Sequence, residues 1–272
     1  MSFIPKFILA VSSAQKAKKI AADFLETIGN KIECLLCPGE EAAVIKDPSR
    51  FDGILVIGGD GYMLRSMHNY YHLKLPFVGI NAGTVGFLMN EKVHLESLIK
   101  INDLPKIKLK PLSMEVVSGR NNTKQKMIAF NDVSVYRATN QAAKLSVSIN
   151  NKPQLNELIA DGIIVATPAG SSAYNFSAGG SIVPIDSNLI CITPVCPSRP
   201  RGWKGAIIPH DSIVDINILE NQKRPVNVVA DFHEIGEIKS VKIKQKHGIY
   251  ALLTFTSESS VKDRMIKEQF MI

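Results

Sequence analysis

Ile54-Leu55-Val56-Ile57-Gly58-Gly59-Asp60-Gly61 decides the fold of this 272-residue chain. The four consecutive apolar residues read as a strand covered on both faces, as in a parallel sheet. Two glycines at its carboxyl end let an anion approach backbone N–H groups closely. Residues 63–71 read as a helix, whose amino end adds to that anion site. In open α/β sheets ligands bind there, outside the carboxyl ends of the strands. An ordinary β-to-α turn is the competing reading of these residues alone, because short glycine motifs recur by chance.

The same alternation extends to either side. Upstream, residues 7–11 form a short apolar run, and Ser12 and Ser13 offer caps to a helix over 14–28. Ile20, Phe24, Leu25 and Ile28 share one face of that helix. Residues 32–37 read as a second strand, broken by Pro38-Gly39. Downstream, 76–80 is a fourth strand and 93–101 another helix. Strands alternating with helices predict a parallel sheet covered by helices. Beyond Pro105 the pattern changes to short β-rich runs at 112–117, 127–136, 145–149, 163–166, 189–193, 213–219, 226–230, 241–244 and 250–255. Several alternate apolar and polar residues, the mark of an antiparallel β domain. Residues 260–270 are polar and suit a short helix. The organisation expected is therefore an α/β domain of residues 1–104 and a β-rich domain of 105–248, with 249–272 returning to the first.

Hydrophobic residues make up 45% of the chain and charged residues 21%, enough for a sizeable core. No apolar run is long enough to cross a bilayer, and the N-terminus lacks a signal-peptide pattern. Four cysteines do not make a disulfide framework, so a reducing cytoplasm is expected. The net charge of +7 suits an anionic partner. Scattered basic residues without interleaved aromatics argue against nucleic acid, and no amphipathic membrane helix is evident.

The phosphate-loop signature Gly-x-x-x-x-Gly-Lys-Ser/Thr and the protein-kinase motif set are absent. Asp60 must then serve directly, orienting an acceptor hydroxyl and helping to place Mg²⁺. With a loose phosphoryl-transfer transition state, it accepts the proton late. A second unusual stretch runs from Asp161-Gly162 through an apolar strand to Thr167-Pro168-Ala169-Gly170-Ser171-Ser172-Ala173-Tyr174-Asn175-Phe176-Ser177-Ala178-Gly179-Gly180. Its hydroxyls, glycines and tyrosine suit a nucleotide's diphosphate, ribose and base edge; a plain Ser/Gly loop is the alternative.

Together these stretches resemble the NAD kinase family. The family's Gly-Gly-Asp-Gly stands at 58–61. Its Gly-x-Asn-x-Gly-x-x-Gly-Phe-Leu segment is matched by Gly79-Ile80-Asn81-Ala82-Gly83-Thr84-Val85-Gly86-Phe87-Leu88, and its Asp-Gly…Thr-Pro-x-Gly-Ser-x-Ala-Tyr…Ser-x-Gly-Gly segment by 161–180. The resemblance, which covers nearly the whole chain, implies an α/β N-terminal domain of the phosphofructokinase and diacylglycerol-kinase type and an all-β C-terminal domain, a β-sandwich. It implies transfer of the ATP γ-phosphoryl group to the 2′-hydroxyl of the adenosine ribose of NAD, with a divalent metal, in a homodimer or homotetramer. Asp60 takes the catalytic position, with Gly58, Gly59, Gly61, Arg65 and Asn81 around it. The dinucleotide-holding Asn-Glu pair falls on Asn131-Asp132, where the acid is one methylene shorter. Asp161 matches the position that reads the adenine amine, and Thr167, Ser172, Ala173, Tyr174 and Ser177 match positions around the dinucleotide. Asp231, at a strand end, is a further candidate; a turn residue is its bland reading.

Two rivals remain at this point. A lipid or sugar-phosphate kinase would share Gly-Gly-Asp-Gly, but the 161–180 segment counts against it. A non-catalytic NAD(P) sensor would not need Asp60. Cys34-x-x-Cys37 has metal spacing but lies in a strand, where residues three apart face opposite ways. His68 and His72 share a predicted helix face without a zincin motif around them.

Overall fold

The computed structural model describes residues 4–38, 45–84, 86–119, 122–256 and 261–270. Val85, within the second matched motif, lies outside them. The chain divides into two compact units, Met1–Leu109 with Ile249–Ile272, and Lys110–Gly248. The first unit starts with β1 (Lys6–Val11), α1 (Gln15–Ile28), β2 (Glu33–Pro38), β3 (Gly53–Gly58), α2 (Asp60–Tyr70), β4 (Pro76–Asn81), α3 (Leu95–Ile99) and β5 (Lys106–Leu109). The second unit holds β6 (Leu112–Ser118), β7 (Lys124–Ala129), β8 (Asp132–Arg137), β9 (Ala143–Ile149), β10 (Lys152–Ala160), β11 (Gly162–Ala166), α4 (Tyr174–Ser177), β12 (Leu189–Val195), β13 (Ala206–Pro209), β14 (Val214–Ile218), β15 (Val226–Ala230), β16 (His233–Ile235) and β17 (Ile238–Gln245). The chain then returns to the first unit as β18 (Ala251–Thr254) and α5 (Val261–Gln269).

The first unit's sheet runs β2-β1-β3-β4-β18-β5. All neighbours are parallel except β18 and β5, which pair antiparallel and so carry the unit to Leu109. Every residue of β3 is buried, which is why its sequence is unbroken Ile-Leu-Val-Ile. Phe7, Leu9, Leu55, Ile57 and Val78 pack against Ala17, Ala21 and Ile28 of α1 in one apolar cluster.

The second unit is built from two antiparallel sheets, β10-β9-β14-β17-β6-β7 and β13-β12-β11-β8-β15-β16. Leu112, Met114 and Val116 of one share a single core with Val133, Val135, Ile163 and Val165 of the other, so the unit is a sandwich. Trp203 packs against that core. No described helix is long and apolar enough to cross a membrane.

Several sequence expectations change. The N-cap of α1 is Ala14, without a side-chain capping bond from Ser12 or Ser13, and Leu25 on its expected inner face is exposed, with Ala17 and Ala21 buried instead. The run at 127–136 is two strands, β7 and β8, interrupted at Phe130-Asn131. β10 escaped the reading because it lies at a sheet edge, where Gln154, Asn156 and Glu157 break any apolar pattern. The expected helix at 63–71 begins at Asp60 and ends at Tyr70, so His72 falls in the following 3₁₀ turn. The helix at 93–101 shortens to Leu95–Ile99. Cys34 and Cys37 do lie in β2 as free thiols, and burial pushes the Cys34 thiol up to about 11, which makes it a poor nucleophile.

Candidate active site

In the first unit, the carboxyl ends of β3 and β4 carry the two matched loops. Gly59 is the N-cap of α2 in an extended conformation, and Asp60 is the first helical residue. That position places a carboxylate where the helix dipole favours negative charge. Gly58 admits no side chain: a Cβ there would press into the Tyr62 ring and its Cβ at 2.9 Å. Ala82 N–H donates to the Gly58 carbonyl at 2.7 Å, which ties the end of β4 to the loop.

Asp60 is held at both oxygens. Its Oδ2 accepts the Phe87 backbone N–H at 2.8 Å and its Oδ1 the Leu88 N–H at 2.9 Å. The Gly79–Leu88 motif is therefore the mount of the aspartate. Asn81 shapes the same loop, accepting the Gly83 N–H on Oδ1 at 2.9 Å. Buried Asn90, two residues beyond the motif, carries the support outward. Its Nδ2 donates to the Gly79 carbonyl at 2.9 Å, and its Oδ1 accepts the Thr256 N–H at 2.9 Å. Gly61 and Arg65 are exposed on α2.

In the second unit, the break between β7 and β8 places Asn131 in a turn and Asp132 at the first position of β8. Asn131 Oδ1 is buried without a hydrogen-bond partner among the described residues, an acceptor that a ligand could satisfy. Asp132 is only 8% exposed. Burial first, and the charge of Asp231 second, push its carboxyl up to about 7. Asp231 itself accepts the N–H groups of Phe130, Asn131 and Asp132.

The loop after β11 mixes supports with available groups. Thr167 is 3% exposed; its hydroxyl donates to the Phe130 carbonyl at 2.6 Å and accepts the Gly170 N–H at 3.1 Å. Its side chain is thus engaged within the protein. Gly170 lies against the Asn131 backbone so closely that any Cβ would overlap it. Buried Asn175 donates to the carbonyls of Ser171 and Ser181, at 3.0 Å each, and accepts the Thr193 hydroxyl at 2.7 Å. Around this frame, Ser172 and Ala173 are half-buried, while Tyr174 and Ser177 are exposed. Asp161 pairs with Arg137 through Nε at 2.6 Å, and Arg137 also donates to the Thr139 carbonyl.

Sequence reading missed Asn90, Arg137, Asn175 and Thr193. Of these only Thr193 shows a signal, a polar residue inside a buried run, since it follows Ile190-Cys191-Ile192.

Two family models match the chain: the ATP-NAD kinase N-terminal domain over residues 9–99 and the ATP-NAD kinase C-terminal domain over residues 130–258. An NAD kinase of Rickettsia bellii (strain OSU 85-389) is 47% identical over 221 residues, 80% of this chain and 86% of the relative. One from Rickettsia rickettsii (strain Sheila Smith) is 45% identical over 234 residues, 86% of this chain and 88% of its own. Among solved structures, yeast NADH kinase complexed with NADH superposes with a TM-score of 0.77 at 20% identity, covering 98% of this chain and 87% of that one. An NAD kinase from Archaeoglobus fulgidus in complex with ATP gives 0.71 at 21% identity, covering 98% and 99%. At such identities these two likenesses show the fold.

Proposed function

The chain belongs to the NAD kinase family, and we propose from that premise how its residues divide the reaction. The activity is that of an NAD kinase, which moves the γ-phosphoryl group of ATP to the 2′-hydroxyl of the adenosine ribose of NAD and yields NADP.

The observation that carries the assignment of chemistry is the double backbone mount of Asp60. The group is therefore fixed by the backbone before substrate arrives. Asp60 orients the 2′-hydroxyl in line with the γ-phosphorus. As the new O–P bond forms and the bond to the departing ADP oxygen breaks, Asp60 takes the hydroxyl proton late. The backbone of Gly58, Gly59 and Gly61, with Arg65 on the next turn, receives ATP phosphate oxygens. Asn81 serves by shaping the adjoining loop.

Asn131, Asp132, Asp161, Ser172, Ala173, Tyr174 and Ser177 hold NAD, supported by their match to the family's dinucleotide segment. Thr167 acts in the same site as a backbone support, since its hydroxyl already has two protein partners. The divalent cation, Mg²⁺, would arrive as part of MgATP, and Asp60 would help to place it, where it would neutralise charge on the phosphates. A cytoplasmic homodimer or homotetramer belongs to the same proposal; the free thiols support a reducing compartment, and the assembly rests on the resemblance.

The test is direct. Purified protein is incubated with NAD, ATP and Mg²⁺, and NADP is read by an NADP-specific dehydrogenase. NADP should accumulate; none with either ATP or polyphosphate as donor would sink the proposal.

A further inference from the structure

Asp231 follows β15 in the left-handed region, at φ 57°. Its carboxylate accepts three consecutive backbone N–H groups: Phe130 at 2.7 Å on Oδ2, and Asn131 at 2.9 Å and Asp132 at 3.2 Å on Oδ1. Its own N–H donates to the Asp132 carbonyl at 3.1 Å. Thr167 engages the same segment through its carbonyls. The Thr167 N–H donates to Asn131 O at 2.8 Å and the hydroxyl to Phe130 O at 2.6 Å. Peptide groups from Phe130 to Asp132 are thus committed to Asp231 and Thr167, while the Asn131 side-chain oxygen is buried without a partner among the described residues.

We propose that Asp231 is a positioning residue for the dinucleotide: it acts through the backbone of Phe130–Asp132 and aims Asn131 and Asp132 at NAD, rather than touching NAD itself. The inference rests on the reading of Asn131 and Asp132 as NAD-holding residues.

A carboxylate is required here. Three N–H donors need three acceptor sites, which two charged oxygens supply. An asparagine offers one oxygen and turns an NH₂ toward a backbone N–H. The charge has a second effect, because it stands beside the buried carboxyl of Asp132. On β11 the register partner of Asp132 is Ala166, and the segment beyond presents Thr167, so Asp231 is the charged group acting on it from these elements. Burial and Asp231 both favour the protonated form of Asp132, raising its ionisation to about pH 7. A carboxylate accepts a ribose hydroxyl better than a neutral acid does. NAD affinity therefore rises as pH rises through that ionisation, and removing the charge of Asp231 moves the step toward lower pH.

NAD binding to the full chain is measured by calorimetry across neutral pH for wild type, Asp231→Asn, Asp132→Asn and Asn131→Ala. NAD has no group of its own that titrates there. Asp231→Asn should weaken NAD binding about tenfold, the loss of one hydrogen bond to a charged acceptor. It should also shift the step to lower pH and leave the KM for ATP unchanged, and Asp132→Asn should abolish the step. If Asp231→Asn does not fold, Asp231→Glu keeps the charge but misplaces it: the step stays and NAD affinity falls. Weakened binding in Asn131→Ala and Asp132→Asn with wild-type affinity in the Asp231 variant overturns the proposal alone. So does an Asp231→Asn step that stays at the wild-type pH. Wild-type affinity in both Asn131→Ala and Asp132→Asn overturns the dinucleotide reading, and the proposal with it.

Discussion

Asp60→Asn is nearly isosteric, and the structure separates its two consequences. The carboxylate accepts Phe87 N–H on one oxygen and Leu88 N–H on the other, at 2.8 and 2.9 Å. An asparagine keeps one of these bonds and sets its NH₂ against the second N–H. The loop loses one bond and gains an unsatisfied donor, about 1–3 kcal/mol, nearer the lower figure because the residue is only half-buried. The charge at the amino end of α2 is lost too, about 0.3–1 kcal/mol. These terms belong to the folded state and appear in denaturant unfolding. Chemistry loses the proton acceptor that fixes the 2′-hydroxyl, which costs about 10²–10⁴ in rate. At saturating NAD and ATP, kcat for NADP formation should fall by that factor. NAD binding, read by calorimetry, should change by less than about tenfold, since the residues proposed to hold the dinucleotide are others. A kcat within about tenfold of wild type in a folded variant would refute the mechanism given to Asp60.

Gly170→Ala forces a Cβ into the Asn131 backbone, so it should lower stability by about 1–3 kcal/mol and weaken NAD binding together; an unchanged melting curve would contradict the packing described. Asn175→Ala removes partners from two carbonyls and the Thr193 hydroxyl in a buried network. It should cost at least about 2 kcal/mol in urea unfolding, and a loss below half that would show that the network relaxes. Arg137→Met releases Asp161 from a half-exposed ion pair. Stability should move by less than about 1 kcal/mol while NAD affinity drops, and unchanged affinity would remove Asp161 from the nucleotide site.

The first unit was legible because its signals are local. An unbroken apolar strand ending in two glycines and an aspartate needs no distant information, and α1 shows part of its inner face, Ile20, Phe24 and Ile28, in its own spacing. The second unit hides what matters most. Residues 127–136 read as one strand because β-forming residues flank Asn131-Asp132 on both sides, yet the chain turns at Phe130-Asn131. The hydrogen bonds that hold the turn come from Asp231 and Thr167, far along the chain. No local pattern announces such a partner. At Thr167 and Asp231 a hydroxyl or carboxylate in a strand-end loop has the same sequence signature whether a nucleotide or a peptide group satisfies it. Asn175 and Thr193 went unnoticed because a buried amide is identified by its partners, which only the fold supplies.

The central claim is that the phosphoryl group lands on one hydroxyl, the 2′ position of the adenosine ribose. Phosphorus and proton NMR of the product made from NAD and MgATP test this without a coupling enzyme. One new phosphomonoester resonance is expected, coupled to the adenosine H2′ proton and lost with Asp60→Asn. A phosphate on another hydroxyl, or the same product formed at an undiminished rate by Asp60→Asn, would contradict it.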